Sequence, residues 1–465
     1  MRKKRRPREL RILSPTAILG YGFPESSFRR GLARRPHLIA VDAGSTDPGP
    51  YYLGSGKPFT DRAGVKRDLR YMLKAGVARG IPVVVGTAGG SGAAPHLAWC
   101  ERIVREIARE EKLSFTMGVV PADVPGRRVA AHLRRGEITP LACVPDLSAE
   151  AVRESVHIVA QMGMEPVIAA LDKGCSVVLC GRCYDPAVFA ALPVSLGFDP
   201  GPALHLGKIL ECAAIAATPG SGSDCALGLL HDDHFVLEPL SDKRRFTRES
   251  VAAHTLYEKS DPYHLPGPGG VLDLEACRFT ELDKGRVKVS GSRFVRADRY
   301  LLKLEGARLV GHRTVSIAGT RDPIMIASID RTLVDVQVQV RDILSRENVN
   351  GRVHFHIYGK NGVMGPQEPL TKVTPHELGI VIEAIGETQR DADTICSLTR
   401  SSLLHYGYPG RIATAGNLAF PFSPSDLPAG PVYEFSLHHL MPVDDGGRAL
   451  FPVRVSRVGT KGGAS

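Results

Sequence analysis

IPVVVGTAGGSGAAPHLAWCERIVREIAREEK, residues 81–112, decides the fold class. Three valines follow Pro82, a glycine-rich break spans residues 86–92, and an amphipathic segment begins near Pro95. Leu97, Cys100, Ile103, Val104 and Ile107 recur at helical spacing, with Glu101, Arg102, Arg105 and Glu106 on the other side. A short, wholly apolar run that breaks into glycine and then into such a helix reads as a parallel strand. Helices cover both of its faces, so no wet face imposes polar alternation. The same order recurs around it. ELRILSP (9–15) precedes GYGFPESSFRRGLARR, HLIAVDAG (37–44) precedes TDRAGVKRDLRYMLKAGVARG, and LSFTMGVV, SVVLCG and PALHLGKILECAAIAA continue the alternation.

The spacing predicts an α/β protein: a Rossmann-like, mostly parallel sheet domain over residues 10–240 and a second mixed α/β domain over 241–465. CALGLLHDDHFVLEPL (225–240) reads as a hairpin with HDDH at its tip. Beyond it, GRVKVSGSRF, YLLKLEGARLVG and RVHFHIYGK alternate polar with apolar, as strands of a sheet with one wetter face do. In the last, Val353, Phe355 and Ile357 share one face and His354, His356 and Tyr358 the other. RDADTICSLTRSSLLHYG, after the strand-like GIVIEAIG, is the clearest late helix.

Composition limits the function classes. The 465 residues are 43% hydrophobic and 23% charged, ordinary for a folded globular chain. The net charge of +10 is concentrated in MRKKRRPR, so residues 1–9 read as a disordered basic tail, with no nucleic-acid partner inferred. The nine cysteines are scattered through apolar runs, which indicates reduced thiols and a cytoplasmic setting. No run of membrane-spanning length is present and no membrane partner is expected. Cys180 and Cys183 form a lone CxxC, read as core-edge thiols flanking Arg182 rather than as a zinc or redox pair.

In an open parallel sheet the ligand sits beyond the carboxyl ends of the strands. VDAGSTDPGP (41–50) sets Asp42, Ser45, Thr46 and Asp47 there, stiffened by Pro48 and Pro50. The alternative is an Asx turn that merely closes the strand. Gly86, Thr87, Gly89, Gly90 and Ser91 lie between a strand and a helix N-terminus, where backbone N–H groups favour a phosphate or carboxylate. The loop lacks both GK[ST] and GxGxxG, and close strand-to-helix packing is its alternative reading. VVLCGRCYDP offers Arg182 as a fork for an anion, with Asp185–Pro186 reading as a helix cap and first residue. Asp42, the 86–92 loop and Arg182 are expected to converge on one cleft. His354 and His356 could serve a metal or acid–base chemistry, but no third ligand is evident nearby and no metal is assigned.

VDAGSTDPGPYYLGSG, GTAGGSG, CGRCYDPAVFA, SDPYHLPGPGG (260–270), GNLAFPFSPSD and VYEFSLHHL together resemble the acyclic terpene utilisation family, AtuA, in order along nearly the whole chain. The resemblance implies bacterial breakdown of acyclic terpenes such as citronellol and geraniol through branched, unsaturated acyl-CoA intermediates. Longer members carry an added ferredoxin-like domain, so a separate small ferredoxin-like partner subunit is expected here, and a homo-oligomer with it. On this reading the chain is a lyase- or hydratase-type enzyme acting on a branched or unsaturated carboxylic acid or its acyl-CoA thioester, with CoA only as part of the substrate. Asp42 or Asp47 acts as acid or base, Ser45 and Thr46 orient the substrate, and Arg182 with the amides of residues 86–92 anchors its anion. His264, His356 and Lys360 complete the site from across a domain cleft, His356 as a catalytic group. Two alternatives stand beside it: a non-catalytic ligand-binding or scaffold subunit, and an ATP-dependent enzyme in which VDAGST is a phosphate loop.

Overall fold

Residues 6–257, 260–370, 372, 375–412 and 415–459 are described by a computed structural model. Residues 1–5 of the basic tail lie outside them. Arg6 pairs with Asp232 and stacks 4.3 Å over the Phe198 ring. The chain forms two compact units, one running to Arg308 and resuming at Phe435, the other spanning Leu309–Glu434.

In the first unit β1 (Leu10–Ser14), β2 (Leu38–Asp42), β3 (Val83–Gly86), the Val177–Cys180 strand and β4 (Phe115–Val120) lie side by side in that order, all parallel. Alternate residues feed two cores. Leu13, Ile39, Val85 and Leu179 pack with Leu69 and Met72 of the Arg62–Arg79 helix and with Ile103 and Ile107 of the Ala94–Glu110 helix. Ile12, Leu38, Val84 and Val178 pack with Val188 and Phe189 of the Ala187–Ser195 helix and with Leu206 of the Pro200–Leu210 helix.

The sheet is larger and more mixed than the sequence pattern indicates. Ala226–Leu230 pairs antiparallel with β1 and is followed outward by His234–Pro239, Arg286–Ser290 and Arg278–Leu282. Arg454–Val458 pairs antiparallel with β4, giving ten strands. The 226–239 hairpin forms as its sequence indicates; that it closes onto β1 depends on contacts more than 200 residues apart.

The path of the chain locates the ligand edge. From β1 to β3 the strands advance in one direction; the chain then jumps to β4 and steps back to insert Val177–Cys180 between β3 and β4. With right-handed crossovers, the loop leaving β3 and the loop leaving Val177–Cys180 go to opposite faces. The crevice between them is the switch point where open α/β sheets bind ligands.

The second unit contributes a strand–helix–strand–strand–helix–strand sequence. Gly351–Tyr358 lies at an edge, next to Leu378–Gly386, then the Leu301–Thr320 strand, then Asp426–Pro442. In chain order these are strands 4-1-3-2 across the sheet, the split, ferredoxin-like arrangement. The helices Ile329–Arg346 and Gln389–Leu404 cover one face, where Ile357, Ile380 and Ile382 meet Val336, Val340 and Ile395. Among the described residues no helix is long and apolar enough to cross a membrane.

Candidate functional site

At the switch point three loops touch through their backbones. Ala43 N–H donates to Gly86 O (2.9 Å), and a Cβ on Gly44, whose φ is +136°, would stand 2.6 Å from Gly90 O. Arg182 N–H donates to Gly92 O (3.2 Å), and Cys183 N–H donates to Thr87 Oγ1 (3.2 Å). Asp42, the 86–92 loop and Arg182 are therefore brought together.

The glycine-rich loop is used for that packing. Thr87 and Ala88 donate their N–H groups to Gly181 O and Cys180 O, and Gly90 N–H donates to Thr87 O. Cβ atoms on Gly89 and Gly90 would strike His96 and Phe59, and a Cβ on Gly86 would strike Val188. At the start of the following helix Ala94 N–H is taken by Asp123 Oδ1 (3.1 Å). Ser91 Oγ is buried and makes no hydrogen bond among the described residues. None of residues 86–92 is among those that line the adjoining cavity.

That cavity, of about 510 Å³, lies in the first unit. Asp47, Arg182, Asp185, Lys208, Glu211, Arg299 and Lys303 line it, together with Leu141, Tyr184, Pro266, Val271, Leu301 and Leu440. Arg182 is anchored by protein acceptors. Its Nε donates to Glu305 Oε2 (2.6 Å), Nη2 to Glu305 Oε1 (3.3 Å), and Nη1 to Cys183 O (2.8 Å) and Asp185 Oδ1 (3.1 Å). Glu305, wholly buried, also accepts from Thr46 Oγ1 (2.8 Å) and Lys303 Nζ (2.8 Å). Lys208 Nζ pairs with Glu211 Oε1 at 2.7 Å.

The ionisations diverge for physical reasons. Burial pushes the Glu305 carboxyl up, but Arg182 and Lys303 more than offset this and hold it well below the carboxylate range. Asp42 is displaced the other way: burial, then repulsion by Asp185 and Glu211, raises it well above the ordinary value, and its Oδ1 has no hydrogen-bond partner among the described residues. Burial also raises Asp185, against the pull of Arg182 and Lys208. The hydrogen bond to Cys180, with burial, pushes the Cys183 thiol well above its ordinary value and so disfavours its thiolate.

The remaining predicted residues fall in different places. Ser45 Oγ donates to Asp47 Oδ2 (2.6 Å) in an exposed turn, leaving Asp47 on the cavity lining. His264 stands at the base of the hairpin whose 266–270 turn lines the cavity. In the second unit His356 Nε2 lies 3.1 Å from Glu383 Oε2, and Lys360 pairs with Asp330. Asp185, read from sequence as a helix cap, makes no cap hydrogen bond, because the helix begins at Ala187 and the carboxylate turns to Arg182.

Lys208, Glu211, Arg299, Lys303 and Glu305 were not foreseen. A signal existed for four of them. Lys208 and Glu211 are an i,i+3 charged pair at the C-terminal end of a mostly apolar helix, and Lys303 and Glu305 are an i,i+2 pair on the polar side of an alternating strand. Arg299 sits in a loop, with nothing in its neighbours to mark it.

The family model for the acyclic terpene utilisation family protein AtuA matches residues 62–224 and 233–419. The chain belongs to the AtuA family. The matched segments include the 86–92 loop, Arg182, Asp185, Lys208, Glu211 and Glu305, while the Asp42–Asp47 loop precedes them. No curated protein and no solved structure matches the chain. AtuA membership suggests a role in acyclic terpene utilisation.

Proposed function

We propose that this AtuA-family chain is a lyase- or hydratase-type enzyme acting on a branched or unsaturated carboxylic acid or its CoA thioester. The observation that carries the reading is a pair of neighbouring carboxyl groups with different partners, one of them on the cavity lining. Asp185 lines the cavity and is bound to Arg182, while Asp42, which is not on the lining, has no cationic hydrogen-bond partner among the described residues and is raised well above the ordinary carboxylate value by burial and by Asp185. Adding or removing water across a carbon–carbon double bond needs one group to take a proton and one to supply it, and two carboxyls of unequal proton affinity meet that need. Asp185 takes the proton of the water that adds to the double bond, Asp42 supplies through a water the proton that goes to carbon, elimination runs both transfers in reverse, and Asp47 contacts the substrate.

Arg182 orients Asp185 rather than forking the substrate, because most of its N–H groups are already donated to protein oxygens. The substrate's anionic group is left to Lys303 and to Arg299, an exposed lining residue with no ion pair among the described residues. The mixture of charged and branched apolar lining suits an acid with a hydrocarbon tail. A volume of about 510 Å³ falls in the usual range of small-molecule sites, so the nucleotide of a CoA thioester would extend outside.

The ATP-dependent reading is disfavoured, because Thr46 spends its hydroxyl on Glu305 and Ser45 spends its own on Asp47. The test is turnover of unsaturated acyclic monoterpenoid acids and their CoA thioesters, followed by loss of enoyl absorbance and by product mass, with and without ATP. Asp185→Asn should lower kcat at least ~100-fold while leaving the fold intact. Absence of turnover by the wild-type chain under all conditions would sink the enzyme reading and favour the scaffold. Restoration of turnover by a co-expressed small subunit would instead establish the partner.

A further inference from the structure

The hairpin formed by His264–Gly267 and Gly270–Asp273 carries a second cluster of charged groups at its open end. His264 and Asp273 are directly opposite each other across the two strands, and Glu275 lies two residues on. One ligand atom from each of His264, Asp273 and Glu275 lies within 4.8 Å of the others. Asp261 holds the imidazole from behind. Its Oδ1 accepts the N–H groups of Tyr263 (2.9 Å) and His264 (3.1 Å), and its Oδ2 lies 2.9 Å from His264 Nδ1. The ring is thereby fixed with Nε2 turned toward Glu275 Oε1, 3.6 Å away. A carboxylate behind an imidazole fixes the tautomer and raises the basicity of the nitrogen that faces a metal.

We propose that His264, Asp273 and Glu275 bind a divalent first-row cation such as Zn²⁺, with Asp261 as the residue that positions the imidazole. Asp261, Asp273 and Glu275 supply three negative charges, and the guanidinium in direct contact is Arg293, 2.5 Å from Asp273 Oδ2. A divalent ion on His264 Nε2 would take the place of the imidazole proton that otherwise faces Glu275. Asp273 Oδ1 also accepts the Glu275 N–H at 3.1 Å, but each carboxylate oxygen keeps a second lone pair for a cation.

One nitrogen and two oxygens, with no thiolate, suit Zn²⁺ or Mn²⁺ and not a soft ion such as Cu(I). His264 and Glu275 are open to solvent, so the ion has an entry path and water completes its shell. Because residues 266–270 form part of the cavity lining, the cation would clamp the hairpin that shapes the candidate substrate site.

The experiment is a calorimetric titration of the full chain, stripped with EDTA, using Zn²⁺ and, separately, Mg²⁺. The expected result is a Zn²⁺ site that His264→Ala or Glu275→Ala weakens at least ~10-fold. Asp261→Asn should weaken it by about 10–100-fold through loss of imidazole positioning, and Mg²⁺ should not compete. Unchanged far-ultraviolet dichroism in the variants separates ligand loss from misfolding. Zn²⁺ affinity and stoichiometry that survive His264→Ala, or no Zn²⁺ binding by the wild-type chain, overturn the assignment.

Discussion

Replacing Glu305 by Gln tests the charged floor of the cavity most directly. Glu305 and Arg182 have 0% and 3% of their side-chain surface exposed, and both Glu305 oxygens accept from the guanidinium. The substitution removes the negative charge but keeps one carbonyl oxygen, so Arg182 stays buried with Asp185 as its remaining carboxylate partner. Breaking a buried ion pair from one side costs about 3–5 kcal/mol. The retained carbonyl argues for the low end, ~3 kcal/mol, which for a urea slope of about 3 kcal/mol/M moves the midpoint by roughly 1 M. Because Glu305 is held below its usual range, its stabilisation is fully present above the unfolded glutamate value of about 4.3 and fades as the pH falls through its lower folded value. The difference from wild type should therefore narrow below about pH 4. Arg182→Met should be similarly costly, and Arg182→Met with Glu305→Gln should cost less than the two single changes combined by more than about 1 kcal/mol. Urea unfolding of all four proteins at pH 7 decides it. Strictly additive losses, or a Glu305→Gln midpoint indistinguishable from wild type, would refute the account of a coupled buried pair.

The opposite sign holds for Asp42. Its folded value is raised by burial and by Asp185 and Glu211, so the stability associated with its proton is complete below about pH 3.9 and is lost as the pH rises through the folded value. Asp42→Asn should match wild type near pH 4 and exceed it at higher pH, measured by urea midpoints from pH 4 to 9; a variant less stable throughout would mean that Asp42 is ionised and paired. Two glycines of the same loop separate contact from conformation. Gly44→Ala places a Cβ 2.6 Å from Gly90 O and should cost more than about 2 kcal/mol or prevent folding, whereas Gly49→Ala, at φ +105° with nothing within 4 Å of the new atom, should cost about 1 kcal/mol. Equal losses in thermal unfolding would show that loop contact with Gly90 is not what Gly44 provides.

Much of the first unit was legible because its information is local. Val83–Val85 and Leu97–Ile107 each state in a few residues which faces are covered, and the loops that follow β2, β3 and Val177–Cys180 could be picked out as ligand-side candidates. The sequence by itself determined this alternation, the 226–239 hairpin, the apolar face of Val353, Phe355 and Ile357, and membership of the AtuA family. What it could not determine was partnership between distant charges. Arg182 looks like a free anion fork until Glu305, 123 residues away, is found accepting from it, and Asp185 looks like a helix cap until the helix is seen to begin at Ala187. Side-chain ion pairs depend on where strands are inserted in a sheet, and a residue's own neighbours hold no record of that. Only the tertiary structure placed Lys208, Glu211 and Lys303 around one cavity, and it left the glycine loop as packing between strands and helices.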